Sequence, residues 1–217
     1  VRIRWEQYTT QKSNSIATLS VHRTRSPQTQ TPNSSVATSS VATATPMSFS
    51  SLESIFSTYT EPEALFNALL PEICQTLQTD RCFLVVRHPD SRMYRNFCWR
   101  SSPDFPDLTT AGWEQEQEWE QDDPMFAAAL RTESSIFVED IETAPATVLN
   151  REFERENFGH RALVHAHLCH TERLWGILQP CIFNHPRSWS EADRHLINHL
   201  IAALTPIVVQ YVQSAAV

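Results

Sequence analysis

Residues 158–201 read FGHRALVHAHLCHTERLWGILQPCIFNHPRSWSEADRHLINHLI, and this stretch decides the fold. Two alternating segments, from Ala162 to Cys169 and from Leu174 to Phe183, flank the polar turn His170-Thr171-Glu172. That pattern predicts a β-hairpin. A strand turns successive side chains to opposite faces. Ala162, Val164, Ala166 and Leu168 therefore share one face, small and apolar enough to pack against helices. Leu163, His165, His167 and Cys169 share the other, with Ile177, Gln179 and Cys181 on the partner strand. Ser190 then opens Ser-Glu-Ala-Asp, a helix start, and Ile197, Leu200, Ile201, Leu204, Val208 and Val212 continue as an apolar stripe to about Ala215. Pro206 lies inside that helix, where it predicts a kink.

Working back toward the N-terminus, a helical period starts at Ser50, with Leu52, Ile55, Phe56 and Tyr59 on one face. A second helix follows through Leu65, Leu69, Leu70, Ile73 and Leu77. Thr60 is the expected cap, with Pro62 in the first turn, Glu63 placed for a capping box, and Pro71 as a kink. Arg81–Arg87 (RCFLVVR) is a β-rich apolar run, Pro89-Asp90-Ser91 a turn, and Tyr94–Trp99 its hairpin partner. Ser101–Gly112 is a loop. Trp113–Asp123 (WEQEQEWEQDD) carries six acids and no base, and is expected to be a solvated, helical or lid-like segment. It lacks the turn glycine and alternating ligands of a calcium loop. A short helix at Pro124–Arg131, a strand at Ser135–Val138, a loop to Asn150 and a charged helical turn at Arg151–Asn157 complete the order. The fold class is α+β, an antiparallel-rich central sheet with terminal helices packed on one face, in a single domain over 47–217.

Residues 1–46 differ. They are rich in Ser and Thr, hold five Lys/Arg and one acid, Glu6, and show no apolar period. Such a segment buries too little surface to offset its ordering entropy and is expected to be disordered. Its composition is transit-peptide-like, which would send the protein to a plastid stroma. With Met47 standing where the ordered pattern starts, an over-extended reading frame, a linker or a non-standard start is the preferred expectation.

The 217 residues carry 41% apolar side chains and a formal net charge of −8. No basic stripe exists to neutralise phosphates, so nucleic acid is not an expected partner. No apolar run reaches the roughly 18 residues of a membrane span, so a membrane is not expected either. Five cysteines without a CxxC pair fit a reducing compartment, and the cytoplasm is the expected location. Three glycines against 13 prolines leave no glycine-rich phosphate loop.

Over about Ser51 to Tyr211 the chain resembles a GAF domain, the sensory module of phytochromes and many signalling proteins. The resemblance is carried by Asp80-Arg81-Cys82-Phe83-Leu84-Val85-Val86, Leu174-Trp175-Gly176-Ile177-Leu178 and Arg187-Ser188-Trp189-Ser190-Glu191. It is nearest the cyanobacterial phytochrome-like branch, where a VxAxLxVxI strand precedes LWGLL and a helix opening on Trp-Ser. Here that strand is His160–Leu168. The branch's bilin attachment does not carry over. With Gly159 as the glycine before the strand, the Cys-His positions hold Asn150 and Arg151, and a further chromophore-contacting His is replaced by Cys181. Asp80-Arg81-Cys82-Phe83 imitates a cyanobacteriochrome motif but lies in the first strand. A covalent bilin is therefore not expected, Cys169-His170 being the one alternative attachment point, and the cofactor is unknown.

In the resembling domains the face away from the helices looks into the ligand cavity. The resemblance thus implies a small-molecule site formed by Leu163, His165, His167, Ile177, Gln179 and Cys181. Three readings stay open there. The polar side chains bond within the core, or they anchor a small ligand, or imidazole and thiolate hold a metal or haem. The last lacks companion carboxylates. Catalysis is not expected, since neither a nucleophile elbow nor the cysteine pattern of the sulfoxide-reducing GAF branch is present. The thiol alternative is a redox sensor using Cys169 or Cys181. The resemblance further implies a homodimer through the terminal helices and a separate protein partner as output. A ligand-free interaction scaffold is the competing function.

Overall fold

A computed structural model describes residues 49–215 of the chain. The expected disordered tail, 1–46, lies outside the described residues. The elements are α1 (Phe49–Thr58), α2 (Pro62–Leu77), β1 (Arg81–Arg87), β2 (Met93–Arg100), β3 (Glu114–Gln115), α3 (Pro124–Leu130), β4 (Ile136–Val138), α4 (Arg151–Asn157), β5 (Ala162–His170), β6 (Arg173–Ile182) and α5 (Glu191–Ser214). The strands form one antiparallel sheet in the order β3-β2-β1-β6-β5-β4. The α+β expectation and its helix-covered face hold.

The β5–β6 hairpin closes on a tight turn, and β6 pairs with β1 at the middle of the sheet. Thr171 and Glu172 both adopt positive φ, 48° and 56°, the left-handed pair that matches the twist of two joined strands. The register sets Leu163 opposite Cys181 and His167 opposite Ile177. A bulge at Leu168/Cys169 shifts the last pairs, leaving Cys169 against Leu174. On the helix side Ala162, Val164, Ala166, Leu168 and Leu178 meet Leu69, Ile73, Leu196, Leu200, Leu204 and Val208 in the main core. Gly176 is required there: a Cβ at this position would stand 2.5 Å from the Val85 carbonyl oxygen and against Val208 of α5.

Helix starts are set by local chemistry, with one correction. The Ser190 hydroxyl accepts from the Asp193 amide while the Asp193 carboxylate accepts from the Ser190 amide, a complete capping box. At α2 the cap is Glu61, not Thr60, and no side chain bonds the exposed amides. Pro62 at the first position removes one of those donors, so the helix starts without the help expected of Thr60. Pro71 and Pro206 both lie inside helices that continue past them. By length and composition α5 could cross a membrane. That is weak evidence of a span, because Leu196, Ile197, Leu200, Leu204, Val208 and Val212 are buried in the core.

The acidic stretch is the second correction. It forms β3 and a 3-10 helix at Trp119–Gln121, with Glu114, Gln115, Gln117, Glu118 and Gln121 exposed as expected of a solvated segment, but Glu116 is not. Glu116 is buried and accepts a bidentate pair from Arg87, Nε to Oε2 at 2.7 Å and Nη2 to Oε1 at 3.2 Å, and a further bond from Arg92. A buried arginine at the end of an apolar strand requires such a partner, and the acidic stretch supplies it.

Candidate functional site

The site face is the side of the sheet away from α1, α2 and α5. Antiparallel register puts a row of side chains across it: Cys98 pairs with Phe83, Phe83 with Gln179, and His165 with Ile136, while Gln179 and His165 fall between the Leu163–Cys181 and His167–Ile177 pairs. The six residues expected at the site, Leu163, His165, His167, Ile177, Gln179 and Cys181, are all buried. They do not form one uniform surface. Leu163 and Cys181 are closed over by Met125, Val138, Ile141 and Leu149 in a small apolar cluster. The polar members are left between that cluster and the hairpin end.

The two histidines make a directed line. His167 Nδ1 lies 2.7 Å from the Glu133 carbonyl oxygen, and His167 Nε2 lies 2.9 Å from His165 Nδ1. The His167 backbone amide donates to the Ser135 hydroxyl. Burial depresses both imidazoles below the usual histidine range, and for His165 the neighbouring His167 and His160 add to the effect. Gln179 has 3% of its surface exposed, yet its amide makes no hydrogen bond among the described residues.

A second polar line was not foreseen. Fully buried Arg81 reaches His160 Nδ1 at 3.4 Å, and His160 Nε2 lies 2.7 Å from Glu154 Oε2. Arginine only donates, so Nδ1 accepts and the Nε2–H donates to Glu154. The contact has the geometry of an ion pair, but burial favours the neutral forms: Glu154 is pushed up to about 8 and His160 is lowered. The neutral pairing is the physically consistent one, with the carboxyl proton on Glu154 Oε1. That atom and Arg81 Nε are buried without a partner among the described residues. Asp123 caps α3 by accepting from the Met125 amide, and burial with the nearby Glu154 raises it to about 8. Phe158 stacks against His160 and Phe83, centroids 5.5 and 6.0 Å away, which joins this line to the Phe83–Gln179 row.

Sequence reasoning missed Arg81, Asp123, Glu154 and His160. Asp123 and Glu154 looked like members of solvated acidic segments. The available signal was Phe153 and Phe158 bracketing Glu154, apolar side chains that draw α4 and its acid inward. Asn150 caps α4 by accepting from the Phe153 amide. Arg151 beside it donates to the Ile141 carbonyl. Cys169 is half-buried, and burial raises its thiol. Among the described residues no group of three His, Cys, Asp or Glu side chains is placed to hold a metal ion. A cleft of about 380 Å³ lies between Asp122, Pro124 and the loop through Leu149, Asn150 and Glu152, and Leu149 also belongs to the small cluster over Leu163.

The GAF-domain family profile matches residues 61–205. The chain belongs to the GAF family. Solved GAF domains share the fold at low identity. The phycocyanobilin-bound GAF domain of a cyanobacterial phytochrome is 19% identical with a TM-score of 0.58, covering 76% of this chain and 93% of that one. The GAF domain of Acinetobacter phosphoenolpyruvate-protein phosphotransferase is 12% identical at 0.56, covering 77% and 96%. A Synechocystis GAF domain in its photoproduct state is 21% identical at 0.52, covering 71% and 96%. Comparison with curated protein sequences finds no match. The GAF domain is a sensory or regulatory fold in many of the proteins that carry it, and is usually non-catalytic there.

Proposed function

We propose that this GAF domain binds a small molecule against the face carrying His165, His167, Gln179 and Cys181, and passes the change through α1 and α5 to a separate protein partner. The observation that carries the reading is the pair of buried polar atoms lacking a protein partner among the described residues on that side of the sheet, Glu154 Oε1 and Arg81 Nε. Buried polar groups are nearly always hydrogen-bonded, and a bound molecule is one source of the missing partners. Leu149 supports the reading as a route inward, since it both lines the outer cleft and covers Leu163. A covalently attached bilin forms no part of the proposal, because Asn150 and Arg151 offer no thiol.

The terminal helices supply the proposed output. Ile55 and Phe56 on α1, and Ile201, Ile207, Val209 and Tyr211 on α5, are only partly buried beside the core, and Tyr59 is exposed. This surplus fits a homodimer of cytoplasmic protein, with the dimer helices as the lever. Native mass spectrometry and absorbance of protein produced with haem and bilin, followed by thermal melting across a metabolite panel, test the reading. A ligand at a hundredfold its Kd adds about 2.7 kcal/mol and raises the melting temperature by roughly 5–10 °C. A clean apo mass with no shift across the panel would leave the ligand-free interaction scaffold.

A further inference from the structure

We propose that His165 is the hydrogen-bond acceptor of this ligand site, and that its ligand is neutral and brings an N–H or O–H donor to Nε2, with the Gln179 amide meeting the adjoining polar atom. This rests on the small-molecule reading of the β5–β6 face and specifies its chemistry.

The Glu133 backbone fixes the direction of the whole line. A carbonyl oxygen only accepts, so the proton at the 2.7 Å contact sits on His167 Nδ1. A neutral imidazole has one N–H, which leaves His167 Nε2 a bare acceptor. His165 Nδ1, 2.9 Å away, must therefore donate to it. His165 in turn keeps its lone pair on Nε2, and no hydrogen bond reaches that atom among the described residues. A main-chain carbonyl two imidazoles away thus decides that the innermost ring nitrogen accepts. Rings held at one nitrogen by a fixed partner present the other in a defined state, as second-shell bonds do for liganding histidines.

The neighbours decide what that lone pair accepts from. A carboxylate or carbonyl oxygen would set lone pair against lone pair. A cation would be stripped of water in an interior that already holds the Arg81 guanidinium, linked to Glu154 through His160. Protonation of His165 itself is opposed by burial and by His160 and His167 beside it. A neutral donor meets none of these costs. Gln179 falls next to His165 in register on the same face, and its amide both donates and accepts. A molecule with a donor beside a carbonyl fits the pair.

The test uses the full chain labelled with 15N. Long-range proton–nitrogen correlations should show His165 Nε2 unprotonated and Nδ1 protonated; the reverse tautomer overturns the proposal. 2-Pyridone, which has an N–H beside a carbonyl, and 1-methyl-2-pyridone, which lacks the N–H, are then titrated separately. Pyridone should move the His165 ring and Gln179 amide signals and bind at least about tenfold tighter than its methyl counterpart, the worth of one hydrogen bond. His165→Leu should erase that preference while keeping the melting temperature. Equal binding of the two probes overturns the donor assignment and leaves the small-molecule site standing. A His165 ring that neither probe perturbs also overturns it, and the metabolite panel then decides separately whether the face binds anything.

Discussion

The two faces of the central hairpin are built from alternate residues of the same strands, yet they are different materials. The helix face is closed and apolar. Ala162, Val164, Ala166, Leu168 and Leu178 interlock with α2 and α5, and Gly176 is there because even a methyl group would strike backbone. The opposite face carries a small apolar cluster at one end, and at the other polar groups whose partners are histidines, a main-chain carbonyl or nothing. The contrast teaches that the second is organised around hydrogen-bond direction, with packing left to the cluster over Leu163.

The largest effects should therefore come from the helix face. Leu178→Ala removes a fully buried side chain from the main core and should cost about 2–5 kcal/mol in chemical denaturation. Gly176→Ala has nowhere to put its methyl group except against Val85. It should cost about 1–3 kcal/mol, through strand displacement and not through a cavity. An alanine tolerated at 176 without loss would show that the face is looser than drawn.

The next prediction sets the polar side against pH. Asp123 and Glu154 hold their protons to about 8 when folded, whereas in the unfolded chain they lose them near 3.8 and 4.5. The folded state therefore binds more protons across that window. The stability these groups contribute is present below about 4 and is lost as pH rises through about 8. His160, His165 and His167 work in the opposite sense: folding lowers each below 6.5, so acid favours the unfolded state that takes up their protons. Stability should be highest between about pH 6 and 7 and fall on both sides, each unmatched proton tilting it by about 1.4 kcal/mol per pH unit. Glu154→Gln should roughly halve the slope of the alkaline limb, where Asp123 remains, and steepen the acid limb, since Glu154 carries its extra proton from about 4.5 to about 8. Denaturation midpoints from pH 5 to 9 decide it, and an alkaline limb unchanged in the variant would remove Glu154 from the buried pair.

The helix face was legible in the residues, and the other face only in outline. Strict alternation in Ala162–Cys169, the short polar turn after it and the Ser190–Asp193 box are local, so hairpin, faces and final helix could be read directly, though the turn proves to be Thr171-Glu172 alone, with His170 in β5. The shared face of Leu163, His165, Gln179 and Cys181 followed from the same period. Burial of charge could not be read in that way. Glu116 sits among acids, nothing within a few residues distinguishes it from solvated neighbours, and its partner Arg87 comes from β1; Glu154 had only Phe153 and Phe158 to mark it, and its partner His160 lies in the loop six residues on. The N-terminus of α2 failed for a local reason, since Pro62 places the helix start one residue after the Thr60 that looked like its cap. Arg81 and Arg87, charged residues closing the two ends of an apolar run, were a further sequence clue that an acid or imidazole must be buried with them.

The smallest effect should be the most informative one. His165→Leu removes a buried imidazole, a change that on the helix face would rank with Leu178→Ala. Here the gains and losses nearly cancel. The variant loses the 2.9 Å bond to His167 and leaves His167 Nε2 without its donor. It also removes Nε2 of His165, an acceptor with no partner among the described residues, and replaces a polar ring with an aliphatic group of similar reach beside Leu163 and Ile177. Exchanging one unsatisfied acceptor for another while adding apolar contact should change stability by less than about 1 kcal/mol. The loss should appear instead in ligand preference. A cost as large as that of Leu178→Ala would mean that His165 is held as firmly as the core, with nothing left open for a ligand to meet.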